Sequence, residues 1–262
     1  SRYAIIWADD AMRKTDIDWS ITKDLAVRAH LLLEAELKQK FPVQLKLEKR
    51  IPVGAGLGGG SSDAAAMLLG CNALFDLGLS LDDLHELAAR LGSDVPFFLT
   101  AASAIAEGFG ERLDPIRIPD DTLHIALFMP DFTCGTPEVY RSFDALHPGD
   151  ALPSRFGDQV ERVRLLPAAI ASGSAALSEA DLFNDLAPAA FARYPDLSDD
   201  AREIESIAER KVHVSGSGSA LFVICDDAMH AEYLSRTVAE QADIAARAVS
   251  TSWTARPTAS TE

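Results

Sequence analysis

The sequence predicts an α+β fold in which helices and strands alternate without a regular β-α-β repeat. Three observations carry this. First, the alternating segment 43–51 puts Val43, Leu45 and Leu47 on one face. It leads through a glycine-rich loop into the alanine- and leucine-rich run 64–75, so a half-buried strand feeds a helix. Second, another helix follows directly at 81–91, opened by Ser80 and Asp83 in capping-box spacing. Third, residues 211–225 read as two short strands around a glycine-serine turn.

The remaining elements have their own signals. Residues 3–7 (Tyr-Ala-Ile-Ile-Trp) read as a short strand. Thr22 or Asp24 opens a helix running to about Lys40, with Leu25, Arg28, Ala29, Leu32 and Leu33 at helical spacing. Within the loop, Ser61, Ser62 and Asp63 are placed to cap the helix that follows. After the second helix, Gly92 suits a C-terminal position and Pro96 prevents the helix from resuming. Residues 97–106 read as a buried strand or strand pair, and 107–112 as a tight turn. The apolar segment 123–129 is a core strand with His124 as a structural histidine. A variable connection with one helical stretch near 159–171 fills 147–180. Asn184-Asp-Leu186 opens a further helix that Asp185 is placed to cap, and 228–248 reads as an amphipathic helix before a Thr- and Ser-rich tail.

Bulk properties exclude several functions. With 24 Lys and Arg against 40 Asp and Glu, the net charge is −16, which leaves no basic footprint for a nucleic acid. No apolar run approaches a membrane span, and the start of the chain lacks the basic-then-apolar layout of a signal peptide. Cys71, Cys134 and Cys225 form no C-x-x-C pair and read as buried, reduced thiols of a cytoplasmic protein. The length suits one large domain or two small ones.

The chemistry concentrates in Pro52, Val53, Gly54, Ala55, Gly56, Leu57, Gly58, Gly59, Gly60, Ser61 and Ser62. Five glycines between a strand and a helix let the backbone turn sharply and approach a ligand. The N–H groups and dipole of the helix start favour phosphate. A Walker A loop is excluded because Gly60 stands where its lysine belongs. Gly54, Gly56 and Gly59 match G-x-G-x-x-G, but a dinucleotide site needs a β-α-β unit, and here a second helix follows the first. An oxidoreductase therefore ranks last.

The full string, Pro-x-Gly-x-Gly-Leu-Gly-Gly-Gly-Ser-Ser-x-Ala-Ala, resembles the phosphate loop of the GHMP kinases. Residues 92–98 (Gly-Ser-Asp-Val-Pro-Phe-Phe), Asn184-Asp-Leu186 and 215–220 (Ser-Gly-Ser-Gly-Ser-Ala) agree with that family in its order, so the resemblance runs from about residue 24 to 249. It implies a ribosomal protein S5 domain 2-like half over 1–122, a ferredoxin-like half over 123–250 and a tail over 251–262. The Gly-Leu-Gly-Gly-Gly-Ser-Ser form is similar to the branch that uses ATP and Mg²⁺ to phosphorylate CDP-methylerythritol (4-diphosphocytidyl-2-C-methyl-D-erythritol) for isoprenoid precursors. A sister kinase acting on another alcohol, and an inactive nucleotide-binding remnant, are the alternatives.

Several roles follow from the resemblance. The loop is implied to hold ATP, and Asp94 to be the general base, although its residue context alone favours a turn aspartate. Thr136 and Tyr140 are implied to meet the cytidine, a core tyrosine being the other reading of Tyr140. Ser215, Gly216, Ser217 and Gly218 line the substrate side, and Ser62 reaches Mg²⁺. The family's asparagine near the adenine is matched only by Asp24, which accepts but does not donate. In so acidic a chain, backbone N–H groups, a few cations and Mg²⁺ must hold the phosphates. The family's Ala-Lys-Ile-Asn-like strand, with its lysine, has no match before the loop. The chain is thus expected to lack roughly one quarter of a family-length protein at its start. A monomer or weak homodimer is expected.

Overall fold

The fold is taken from a computed structural model, which describes residues 2–100, 103–115, 123–148, 165 and 179–251. Apart from Leu165 and Thr251, the helical stretch expected near 159–171 and the tail lie outside the described residues. The chain forms two compact units. Of the described residues, 2–50, 58–100 and 103–115 fall in the first, and 51–57 with those from 123 onward in the second. The boundary cuts the glycine loop between Leu57 and Gly58.

In the first unit β1 (Tyr3–Trp7) pairs in parallel with β2 (Leu45–Lys49), Tyr3 opposite Leu45. Between them in sequence lies α1 (Leu25–Glu36), capped at its start by Asp24, whose carboxylate accepts the Ala26 N–H at 2.9 Å. Next come α2 (Gly59–Leu74), α3 (Leu81–Ala89) and the short α4 (Phe97–Thr100). The Ser80–Asp83 capping box is present in full at the start of α3. Leu33, Phe41, Leu68, Leu87 and Val95 are among the side chains that form the core of this unit. The strand or strand pair expected over 97–106 is replaced by α4 and then β3 (Ala104–Glu107), which pairs antiparallel with β4 (Arg112–Pro115) across the expected turn. Pro96 explains the difference: it sits at the entry to α4, where a missing N–H costs nothing.

The second unit is a four-stranded antiparallel sheet backed by helices. Its strands are β5 (His124–Met129), β6 (His213–Val214), β7 (Leu221–Cys225) and β8 (Ala245–Ser250), in spatial order β6-β7-β5-β8. Its helices are α5 (Thr136–Leu146), α6 (Ala187–Arg193), α7 (Pro195–Ala208) and α8 (Ala228–Ala242). Phe128, Val139, Leu197, Ile204, Leu221, Val223 and Val238 form its core. The amphipathic helix expected over 228–248 stops early. Asp243 adopts a left-handed conformation (φ +55°) that ends α8, and 245–250 pairs with β5 as an edge strand. An Ala-Ala-Arg-Ala-Val-Ser segment has helical propensity by composition, and sheet pairing overrides it. No helix among the described residues is long and apolar enough to cross a membrane.

Candidate active site

In the first unit, α2 begins at the glycines themselves. Its N-cap is Gly58, left-handed at φ +67°, with no side-chain cap. Ser61, Ser62 and Asp63 therefore do not cap the helix as expected; they lie inside its first turns. Three glycines at the N-cap and first two positions displace the cap upstream, because only glycine takes that backbone angle freely. The first N–H groups of α2 thus have no helical acceptor and no capping oxygen in front of them. The Ser62 hydroxyl donates to the Gly59 carbonyl at 2.8 Å, which leaves its oxygen lone pairs open.

Asp94 stands on the exposed corner between α3 and α4 and accepts a bond from the Ser93 hydroxyl at 3.1 Å. The corner is anchored from beneath by Val95, which is fully buried. Four residues on, the Phe98 ring lies so near Gly58 that a Cβ there would stand 2.7 Å from it. One short segment thus fixes both the base candidate and the start of α2.

A cluster that the motif reading missed lies beside that start. The Lys49 ammonium at the end of β2 sits 3.1 Å from the Asp24 carboxylate and 2.9 Å from that of Asp63, with Lys49 and Asp24 both buried. Burial raises the Asp63 pKa even against the pull of Lys49. The signal was in the sequence: Lys49 shares the inward face of β2 with Leu45 and Leu47 at period two.

In the second unit, the first half of the loop is strapped to the glycine-serine turn. The Ala220 N–H donates to the Ala55 carbonyl at 3.0 Å and the Ser215 hydroxyl to the Gly56 carbonyl at 2.9 Å. Gly56, at φ +73°, has no room for a side chain: a Cβ would fall 2.1 Å from the Ser215 carbonyl oxygen. The Asn184 amide donates to the carbonyls of Val214 at 2.9 Å and Gly216 at 2.7 Å, and its own oxygen accepts the Leu186 N–H at 3.0 Å. The N-cap of α6 is Leu186, whose side chain makes no capping bond, and Asn184 orders the turn before it. Thr136 and Ser217 share a hydroxyl hydrogen bond at 2.9 Å, while Tyr140, one turn along α5, has its ring exposed. Ala55 and Gly56 thus meet 215–220 within this unit, Gly54 lies beside Thr133, and Thr136 joins the turn through Ser217.

Comparison with known proteins gives the family. The family model described as GHMP kinases N terminal domain matches residues 24–102. A 4-diphosphocytidyl-2-C-methyl-D-erythritol kinase of Pseudarthrobacter chlorophenolicus is 38% identical over 218 residues, covering 83% of this chain and 67% of its own. One from Thermus thermophilus is 40% identical over 209 residues, covering 80% and 70%. This chain belongs to that kinase family. The crystal structure of a 4-(cytidine 5'-diphospho)-2C-methyl-D-erythritol kinase superposes with a TM-score of 0.64 at 32% identity, covering 95% of this chain and 82% of that one. A homoserine kinase from Cytophaga hutchinsonii has the same fold, with a TM-score of 0.70 at 17% identity. The α+β GHMP kinase fold of this family member is thereby shown.

For a metal, no group of three or more His, Cys, Asp or Glu side chains is assembled among the described residues. Mg²⁺ carried on a nucleotide takes most of its ligands from phosphate and water and needs one or two from protein. The open lone pairs of Ser62 suit that limited part.

Proposed function

We propose that this chain transfers the γ-phosphoryl group of ATP to the 2-hydroxyl of 4-diphosphocytidyl-2-C-methyl-D-erythritol, a step of non-mevalonate isoprenoid precursor biosynthesis. The observation that carries the reading is the identity of 38–40% to kinases of that name across about four fifths of the chain. The uncapped, glycine-built start of α2 supports it with chemistry suited to a triphosphate.

In this mechanism the loop 52–62 binds ATP through backbone N–H groups, which neutralise phosphate charge without a lysine. Asp94 accepts the proton of the 2-hydroxyl as its oxygen attacks the γ-phosphorus. The bond from that phosphorus to the bridging oxygen breaks, and ADP leaves with the electron pair. Ser62 would hold Mg²⁺, which when bound would supply further charge stabilisation. Thr136 and Tyr140 position the cytidine, the exposed Tyr140 ring offering a face for stacking. Ser215, Gly216, Ser217 and Gly218 shape the substrate side. The β-α-β-β-α-β-type order of the second unit, with a central antiparallel pair β7–β5, supports a ferredoxin-like half. The first unit is read as the S5-like half.

The test is an ATP-consumption assay with CDP-methylerythritol, mevalonate and homoserine offered separately. Turnover with CDP-methylerythritol at a kcat/KM at least about a hundredfold above the other two is expected, equivalent to about 2.7 kcal/mol of discrimination. Equal or greater turnover with another alcohol overturns the substrate.

A further inference from the structure

The start of α5 carries two acceptor-side candidates, Thr136 and Tyr140, yet its own sequence supplies no cap. The N-cap is Gly135, which brings no side-chain oxygen. Its backbone is extended (φ −70°, ψ 114°), so the angle places no demand for glycine. What glycine leaves is room. A Cβ there would stand 2.0 Å from the Glu138 carboxylate and 3.3 Å from the Tyr194 hydroxyl. The carboxylate can swing aside on its flexible chain, but the hydroxyl sits on a rigid ring. That hydroxyl accepts the Gly135 N–H at 2.9 Å. The same residue also begins the helix, because the Gly135 carbonyl accepts the N–H groups of Glu138 at 3.0 Å and Val139 at 3.1 Å. One phenol oxygen therefore fixes the residue from which α5 springs.

Tyr194 is held in turn by the corner between α6 and α7. Its N–H donates to the Ala190 carbonyl at 2.8 Å, and its carbonyl accepts the Leu197 N–H at 3.0 Å. Its ring packs on the core of the second unit, and the Arg193 guanidinium carbon lies 5.1 Å from the ring centre. We propose that Tyr194 is a positioning residue for the phosphoryl acceptor: its hydroxyl holds the start of α5 so that Thr136 and Tyr140 meet the cytidine. The inference rests on the kinase reading above. Thr136 has a second anchor in Ser217, at 2.9 Å, whereas the exposed Tyr140 ring, one turn along, takes its place from the direction of the helix. The groups that shift when the hydroxyl is lost lie at the nucleobase end of the acceptor. The reacting hydroxyl is at the other end, beyond the diphosphate, so the loss falls on binding and leaves the chemical step alone.

The experiment compares the parent protein with Tyr194→Phe, which deletes one oxygen and keeps the ring, and with Tyr140→Ala. It measures melting temperature, steady-state kinetics with CDP-methylerythritol and ATP, and calorimetric Kd for CDP with a non-hydrolysable ATP analogue present. Expected for Tyr194→Phe is a rise of roughly fivefold in KM for CDP-methylerythritol and in Kd for CDP. Its kcat and KM for ATP stay within about twofold, and its melting temperature within about 4 °C of the parent. Tyr140→Ala should weaken CDP at least as much. A KM for ATP that rises by the same factor as that for the acceptor marks a purely structural loss and overturns the proposal. Acceptor KM and Kd for CDP unmoved by Tyr194→Phe overturn it as well. Absence of parent turnover with CDP-methylerythritol overturns the kinase reading, and the proposal with it. If the parent turns over and Tyr140→Ala weakens CDP while Tyr194→Phe is silent, only the role of Tyr194 fails.

Discussion

Replacing Gly56 by alanine tests the close approach on which the second-unit half of the loop depends. At φ +73° an alanine costs about 1–2 kcal/mol of backbone strain. Its Cβ would also stand 2.1 Å from the Ser215 carbonyl oxygen, whereas carbon and oxygen approach no nearer than about 3.3 Å, so one backbone must retreat by about 1 Å. That movement pulls on the bonds from Ser215 to Gly56 and from Ala220 to Ala55, each worth about 1 kcal/mol. The sum is about 2–4 kcal/mol, or a fall in melting temperature of roughly 5–12 °C for a chain of this size. Gly70 supplies the control, because it lies inside α2 with ordinary helical backbone, and a methyl group added there would meet nothing within 4 Å. At that position alanine is expected to stabilise by about 0.5–1 kcal/mol. Thermal melts and KM for ATP read both variants. Gly56→Ala should melt well below the parent with a raised KM for ATP, and Gly70→Ala at or above it. Should Gly56→Ala melt within a degree of the parent and bind ATP equally well, the strap between loop and turn is not what orders this backbone.

Asp94→Asn is expected to lower kcat at least about a hundredfold while KM for ATP stays close to the parent value, checked by steady-state kinetics. Lys49→Met should destabilise the protein by about 3 kcal/mol, because it leaves the buried Asp24 and the half-buried Asp63 facing each other without their cation; Asp24→Asn and Asp63→Asn added to it should restore much of the loss in a denaturant titration. Glu34 sets an acid limit. Burial alone would raise its pKa, but bonds from Lys40, Arg2 and the Phe41 N–H outweigh that and hold it at about 2, against an ordinary 4.5. A depressed carboxylate stabilises the fold fully above its unfolded pKa and loses that contribution as pH falls from about 4.5 to 2. Its neighbour His30 is held neutral by burial, donating through Nε2 to the Phe41 carbonyl and accepting from the Tyr3 hydroxyl, so protonating it at low pH adds to the same loss. Glu34→Gln should therefore melt lower at pH 7, and its melting temperature should fall less than that of the parent between pH 5 and 3.

What the sequence made legible was whatever a short stretch of chain decides for itself. The 43–51 alternation, the Ser80–Asp83 box and the turn at 107–112 are local devices, and each is present where expected. Local reasoning erred where a competing local choice existed. Ser61, Ser62 and Asp63 are good capping residues, yet the glycines before them accept the left-handed angle at Gly58 and start the helix sooner. Residues 245–250 are as good a helix as a strand until β5 offers them a hydrogen-bonding edge. Lys49 was hidden differently: charge suggested solvent, while the period-two pattern already put it inward, and only Asp24 and Asp63, from elsewhere in the unit, make that position tolerable.

The candidate site extends this to longer range. Its motifs could be read one by one, but the contact that gives Gly56 its identity comes from Ser215, 159 residues away in the chain. No period, cap or turn preference encodes a partner at that distance. A glycine required by a local backbone angle and a glycine required by an approaching carbonyl look alike in sequence. Gly56 is both, and the second demand is the stricter: several residues visit left-handed angles at modest cost, but none other than glycine leaves the space that the Ser215 carbonyl occupies. Asparagine, the side chain that best tolerates such angles, therefore separates the two demands. Gly56→Asn should be nearly as damaging as Gly56→Ala if the carbonyl sets the requirement, and distinctly milder if the backbone angle alone does.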